Sequence, residues 1–193
     1  MSTTTTSTVS RSLSTYDVAF IALCAALMAI CSWISIPLSV PITLQTFGVF
    51  MAVLLLGGKR GTLSVLVFIL LGAVGLPVFS GFSGGMGIIL GSTGGYIIGF
   101  IGTALVMWAF ERFAGKSLTA RVLAMLIGLL VCYAFGTVWF MIVYARNSGA
   151  VGLITVLGWC VFPFIIPDLC KIALAYLLAG RIRKALPRLN ELN

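Results

Sequence analysis

The chain reads as apolar runs of membrane-spanning character separated by short polar breaks. The first run extends from about residue 17 to 36 and stops at Pro37, and residues 37–41 read as an extended loop between two prolines. A second run, about 43–57, ends at Gly58-Lys59-Arg60-Gly61, and a third, 62–76, ends at Pro77. A Gly-rich stretch fills 80–95. The fourth run covers about 96–110, a polar break 111–121, and the fifth about 122–144. After a loop at 145–152, the last apolar stretch, 153–180, is interrupted by Pro163 and Pro167. It reads as a short helical or re-entrant piece followed by a sixth helix opening at Pro167, since Pro suits a first helical turn. The pattern predicts an all-α membrane protein with six transmembrane helices. Residues 1–15 form a Ser/Thr-rich flexible tail, 16–186 a single transmembrane domain, and 187–193 a C-terminal tail.

Composition strengthens this reading. Of 193 residues, 61% are hydrophobic and 8% charged. A soluble domain carries about 25% charged residues, and one of this size cannot hide so much apolar surface from water. A soluble enzyme is excluded. The chain contains no His, which removes imidazole metal sites, His proton relays and His-assisted nucleophiles. The cysteines Cys24, Cys31, Cys132, Cys160 and Cys170 show no C-x-x-C spacing and read as small hydrophobes. No cofactor is expected.

The net charge of +8 takes its meaning from position. Arg11, Lys59, Arg60, Arg112, Lys116, Arg121, Arg181, Arg183, Lys184 and Arg188 fall at both termini and in alternate loops, whereas the other loops hold only Arg146. Positive charge collects on the cytoplasmic side, so both termini are expected there, in a multi-pass protein of the plasma membrane. The lipid bilayer accounts for the basic balance, and no nucleic-acid partner is needed.

Asp168 and Lys171 are the only charges well inside a predicted span, and a spacing of three sets them on one helix face. Asp168 precedes Arg181 by 13 residues, about 20 Å of helix, which places the pair in the outer half of the membrane. Intramembrane charge usually lines a cavity or pathway; a mutually satisfied structural pair is the competing reading. The Gly-rich stretch on the same side suits either a loop folding over a ligand or tight helix packing. Small residues recur in the first helix as Ala22 with Ala26 and Ala25 with Ala29, a spacing that permits close helix contact. Two nucleotide-site lookalikes fail: Gly115-Lys116-Ser117 has Phe110 where a P-loop needs Gly, and Gly57 to Gly61 is a turn between spans. Active transport by this chain therefore draws its power from elsewhere.

Pro41-Ile42-Thr43-Leu44-Gln45-Thr46-Phe47, Gly58-Lys59-Arg60-Gly61, Gly72 to Phe79, Gly84-Gly85-Met86-Gly87, Gly91 to Tyr96 and Pro167-Asp168-Leu169-Cys170-Lys171 together resemble the BioY family. These are biotin-specific substrate-binding (S) components of energy-coupling factor transporters. Ser92 and Phe68 stand where the family more often has Pro and Tyr. The resemblance implies high-affinity capture of biotin from outside the cell, without catalysis. It implies a transmembrane coupling subunit and two cytoplasmic ATPase subunits as partners, docking on the face of Ala22, Ala25, Ala26 and Ala29. Asp168 and Lys171 would meet biotin, with Tyr96, Gln45, Thr43, Phe82, Gly84 and Gly85 as further substrate-binding candidates. The alternative function is a stand-alone secondary transporter for a small solute, against which stands the lack of a visible internal repeat.

Overall fold

The computed structural model describes residues 13–37, 40–186 and 189. Helix α1 (Thr15–Trp33) opens on a reciprocal cap: Asp17 N–H donates to Ser14 Oγ at 3.2 Å, and Ser14 N–H to Asp17 Oδ2 at 2.9 Å. The cap satisfies donors that a helix start leaves free, and it begins the helix inside the expected tail. The rest of that tail, and 187–193 except Leu189, lie outside the described residues.

Strands β1 (Ser35–Ile36) and β2 (Ile42–Thr43) then pair antiparallel, Ser35 opposite Thr43. The expected extended loop is thus a small hairpin, although residues 38 and 39 lie outside the description. Helix α2 follows (Gln45–Ala73), and then a single 3-10 turn (Ser80–Phe82). Four helices come next: α3 (Met86–Leu90), α4 (Gly94–Phe113), α5 (Leu118–Ser148) and α6 (Leu153–Cys160). The last is α7 (Phe162–Ala185). The five stretches Thr15–Trp33, Gln45–Ala73, Gly94–Phe113, Leu118–Ser148 and Leu153–Ala185 are long and apolar enough to cross a membrane.

Helix α2 is not one rod. Gly57 takes φ 77° and ψ 170°, a conformation open to a residue without Cβ, and the chain reverses there. A Cβ built on Gly61 would meet the Val53 Cα at 2.5 Å. A straight helix would hold residues 53 and 61 about 12 Å apart. The expected four-residue break at 58–61 is therefore a one-residue reversal, with Gly58, Lys59 and Arg60 already helical. Both arms lie on α1: Ser64 Oγ donates to Ile21 O at 2.8 Å, and a Cβ on Gly48 would touch Met28 at 3.0 Å.

Helices α4 and α5 pack antiparallel along small residues. A Cβ on Gly99 would meet Cys132 Sγ at 3.0 Å, and one on Gly128 would meet Thr103 at 2.9 Å. Thr103 Oγ1 donates to Gly128 O at 2.9 Å across the seam. Between lipid-facing helices, close backbone approach and such interhelical bonds supply the attraction. The outward faces remain apolar, as at Leu70, Phe113, Leu130, Ile154 and Leu177.

Polar contacts divide the two ends of the bundle. At one end, Arg60 pairs with Asp17 at 2.8 Å, Gly58 N–H donates to Glu111 Oε2 at 2.5 Å, and Lys116 reaches Glu111 at 3.4 Å. The other end carries the hairpin, the 3-10 turn and a Trp33 Nε1 bond to Pro77 O at 2.8 Å. Helix α7 begins at Phe162, five residues before the expected start. Pro163 occupies its first turn and Pro167 lies inside it. An interior proline removes one N–H and leaves the carbonyl four residues earlier without its helical partner, here that of Pro163, near the helix start where the loss is small.

Candidate functional site

Below the hairpin end lies a cavity of about 280 Å³. Val40 and Pro41 of the hairpin connection, Ser80 and Ser83 of the 3-10 segment, and Thr93 before α4 contribute to its lining. Deeper walls come from Ile97 and Phe100 on α4, Cys132 and Tyr133 on α5, and Phe164, Asp168 and Lys171 on α7. Tyr133 stands fifteen residues from either end of α5, about 22 Å each way, so the floor lies near mid-bundle.

The floor is organised around Asp168, which is 1% exposed. Its Oδ1 accepts from Lys171 Nζ at 2.6 Å and from Thr46 Oγ1 at 2.9 Å, while Tyr133 OH donates to its Oδ2. The i,i+3 spacing on α7 brings the ion pair together. The second residue of α2 and the middle of α5 bring the hydroxyls. Three donors on one carboxylate offset the cost of burying it. Lys171 is also buried and spends one of its three N–H donors here, which leaves two for a ligand.

Gln45 lies beside this cluster, buried at the start of α2. Its Oε1 accepts from Thr43 Oγ1 at 3.1 Å, and Thr43 Oγ1 also caps the Gln45 backbone N–H at 3.2 Å. The Gln45 side chain contributes to the cavity lining, and its Nε2 is buried with no partner among the described residues. Buried polar groups are normally paired, so this amide is a donor held ready. Tyr96 also lines the cavity, and its OH lies 3.1 Å from Thr137 Oγ1 on α5.

The structure thus brings Asp168, Lys171, Tyr96, Gln45 and Thr43 to one cavity. Phe82, Gly84 and Gly85 do not line it. Phe82 is exposed and stacks on Trp33, ring centroids 5.0 Å apart. Gly84 presses against the Leu76 carbonyl, where a side chain has no room, and Gly85 N–H donates to Gly72 O at 2.6 Å. The small-residue face of α1 is split: Ala22 and Ala26 are exposed, whereas Ala25 and Ala29 are buried in the bundle. The two rows differ by about 60° around the helix, and the edge of the packed core runs between them. Thr46 and Tyr133 were not among the expected site residues. Their signal is visible in retrospect: Thr46 follows Gln45 in the same motif, and a tyrosine buried in an apolar span needs a partner for its hydroxyl.

Chemically, the site offers an apolar envelope around a neutralised ion pair with unspent donors. Such a cavity suits recognition of a compact ligand rich in hydrogen-bonding groups. A sequence model of the BioY family matches residues 3–188. The probable biotin transporter BioY of Pyrococcus horikoshii is 43% identical over 168 residues, covering 86% of this chain and 96% of that protein. The biotin transporter BioY of Thermotoga maritima is 40% identical over 162 residues, covering 82% and 90%. Among solved structures, the S-component for biotin from an ECF-type ABC transporter superposes with a TM-score of 0.77 at 30% identity, covering 88% of this chain and 91% of that one. The chain belongs to the BioY family.

Proposed function

We propose that this multi-pass membrane protein is the S component of an energy-coupling factor transporter, binding biotin without chemically altering it. The observation that carries the reading is the Asp168–Lys171–Tyr133–Thr46 cluster turned toward a cavity of about 280 Å³. Biotin has a ureido group with two N–H donors and one carbonyl, an apolar thioether ring and a carboxylate-ended chain. The spare donors of Lys171 and Gln45 match an acceptor of the ligand. Lone pairs on Asp168 and Gln45 match its N–H groups. Phe100, Ile97 and Phe164 match its apolar ring. Charge-assisted bonds in a dry site are the strong ones.

The topology that fits this role has six spans, with both termini in the cytoplasm. The reversal at Gly57 turns α2 into two arms, and α1, α4, α5 and the α6–α7 unit complete the six. The arms are short, and the Asp17–Arg60 end carries Lys59, Arg60, Lys116, Arg121 and Arg183, as a cytoplasmic face should. The cavity then opens outward. The domain extends from the Ser14 cap of α1 to about residue 186.

A coupling subunit and two ATPase subunits supply the energy. Of the α1 alanines, Ala22 and Ala26 are free to meet the coupling subunit. Ala26→Trp is expected to leave biotin affinity unchanged and abolish co-purification with that subunit, because a bulky ring holds helices apart. Co-purification at wild-type yield would move the docking face elsewhere. The central test is a calorimetric biotin titration of the purified chain, followed by reconstituted uptake with and without the ATPase module. A saturable site and ATPase-dependent uptake are expected. ATP-independent uptake would favour a stand-alone secondary transporter.

A further inference from the structure

Every acid among the described residues is already committed. Asp17 holds Arg60, Asp168 holds Lys171, and Glu111 accepts from Gly58 N–H and faces Lys116. Two arginines are left over in one place. Arg121 on α5 and Arg183 on α7 line a second, smaller pocket of about 30 Å³ at the Asp17–Arg60 end, closed by Val53 and Leu54 of α2 and Phe110 of α4. Both arginines are half-buried. Arg183 is held by little: its Nε is buried with no partner among the described residues, and one terminal nitrogen reaches only the Leu55 carbonyl, at 3.4 Å. Arg121 makes no side-chain hydrogen bond or ion pair among the described residues and lies within electrostatic reach of Arg183. A guanidinium does not shed its proton, and charge withdrawn from water without a counter-ion is costly. Glu111 also lines the pocket, so the described lining carries one positive charge in excess. The space holds about two waters, the size of the two free oxygens of a phosphodiester. Arginine forks match such oxygens with paired N–H donors. The surroundings are apolar: Phe113, Leu118 and Leu186, each close in sequence to a lining residue, are exposed.

We propose that this pocket binds the phosphate of an anionic lipid of the phosphatidylglycerol kind, with Arg121 and Arg183 on its free oxygens and its acyl chains on the exposed apolar flanks. Basic pockets between spans at the cytoplasmic end suit such head groups, and the apolar flanks favour a lipid over a free phosphate. The bound head group supplies the counter-charge that the described residues lack, and it bridges α5 and α7 beside the reversal of α2. The site is separate from the large cavity: Arg183 lies twelve residues beyond Lys171 on α7, about 18 Å along the helix. It goes beyond the biotin reading and stands without it.

The experiment titrates the purified full chain, in a neutral detergent, with phosphatidylglycerol, phosphatidylcholine and inorganic phosphate. Native mass spectrometry reads bound lipid, and a melting curve reads stabilisation. Phosphatidylglycerol is expected to bind one to one and to raise the melting temperature, as any ligand selective for the folded state does. Phosphatidylcholine brings an ammonium to the same arginines and should bind at least about tenfold more weakly. Arg183→Gln and Arg121→Gln should each weaken phosphatidylglycerol by at least about tenfold, the scale of one hydrogen bond to a charged group. Arg121 supports no other described side chain, so Arg121→Gln reads the site even if Arg183→Gln folds poorly. Arg112→Gln removes a charge from the same end but outside the pocket, and should change binding by less than about twofold. Equal binding of the two lipids overturns the proposal, as does wild-type binding by Arg121→Gln. A loss in Arg112→Gln as large as in the pocket variants also overturns it, because the attraction would then belong to the whole basic face. Inorganic phosphate that stabilises the chain as far as phosphatidylglycerol at equal concentration would overturn the assignment to a lipid.

Discussion

Two buried aspartates in this protein do different work with the same chemistry. Asp17 and Asp168 are 4% and 1% exposed. Each faces one cation, Arg60 at 2.8 Å and Lys171 at 2.6 Å, and each accepts further hydrogen bonds. Asp17 uses its lone pairs to cap α1 and to hold the Arg60 side of the Gly57 reversal. It does not line the cavity. Asp168 holds three side chains from three helices around open space. A buried ion pair alone is weak evidence of function. What separates the two is the void and the donors left over: two on Lys171 and two on Gln45.

The sharpest way to break this contrast is to neutralise each carboxylate. Asp168→Asn and Lys171→Ala should each weaken biotin binding by about 1.5–3 kcal/mol, the scale of a hydrogen bond to a charged group. Each also leaves its partner buried without a counter-charge, at about 3–5 kcal/mol of stability. The double variant should lose less than the sum, because the two residues share both a ligand and each other. Asp17→Asn should lower the melting temperature and spare the biotin affinity. Titration calorimetry beside a melting curve in detergent reads all four variants. Loss of affinity in Asp17→Asn with an intact fold would erase the distinction between the two ends.

The next largest effect tests the basic end as a packing device. Val53 backbone occupies the space beside Gly61, so Gly61→Val forces the two arms of α2 apart. Overpacking of this kind costs about 1–3 kcal/mol, and it should appear as lowered thermal stability. The biotin affinity of the folded fraction should stay at the wild-type value. A selective loss of binding would mean that the arms transmit strain to the cavity through Gln45 and Thr46.

Much of this division was legible in the sequence, for physical reasons. Apolar runs long enough to cross a bilayer have few alternatives. Asp168 and Lys171 stood out because charge inside such a run is costly. Their distance from Arg181 gave an expected depth along the last helix. The errors are of two kinds. Helix boundaries at prolines were misplaced, because Pro167 is tolerated inside α7 close to its start, which a local rule about first-turn proline does not anticipate. Residues recruited across the fold were missed: Tyr133 and Thr46 reach Asp168 from 35 and 122 positions away, and no pattern within one span contains that. Likewise, Ala22 and Ala25 are equivalent in a small-residue motif. Only the packed bundle shows that one faces out and the other in.

Tyr133→Phe refines the role of the hydroxyls around Asp168. The ring still fills its place on α5, and only the donor to Asp168 Oδ2 is removed. A carboxylate keeping two of three donors should cost about 1–2 kcal/mol. If Asp168 chiefly positions Lys171, the loss should appear in biotin affinity, and a Thr46→Val, Tyr133→Phe double variant should lose more than the two singles together. Tyr133→Phe binding like wild type would mean that Lys171 and Thr46 alone hold the carboxylate.

The smallest expected effect concerns Phe82, a candidate ligand-binding residue that the structure sets outside the cavity. Its φ is 53°, a left-handed conformation that costs a residue with Cβ about 1–2 kcal/mol. The stack on Trp33 returns about 0.5–1.5 kcal/mol. Phe82→Gly removes both contributions at once, so they nearly cancel. The melting temperature should move by less than about 3 °C, because 1 kcal/mol corresponds to about 2–4 °C in a chain of this size. Biotin affinity and association rate should stay within about twofold, since Phe79, Ser80 and Ser83, and not Phe82, line the cavity. Stopped-flow mixing with biotin measures the rate directly. A tenfold change in association or release with an unaltered melting point would show that Phe82 swings over the ligand. The turn at 80–82 would then join the binding region instead of framing it.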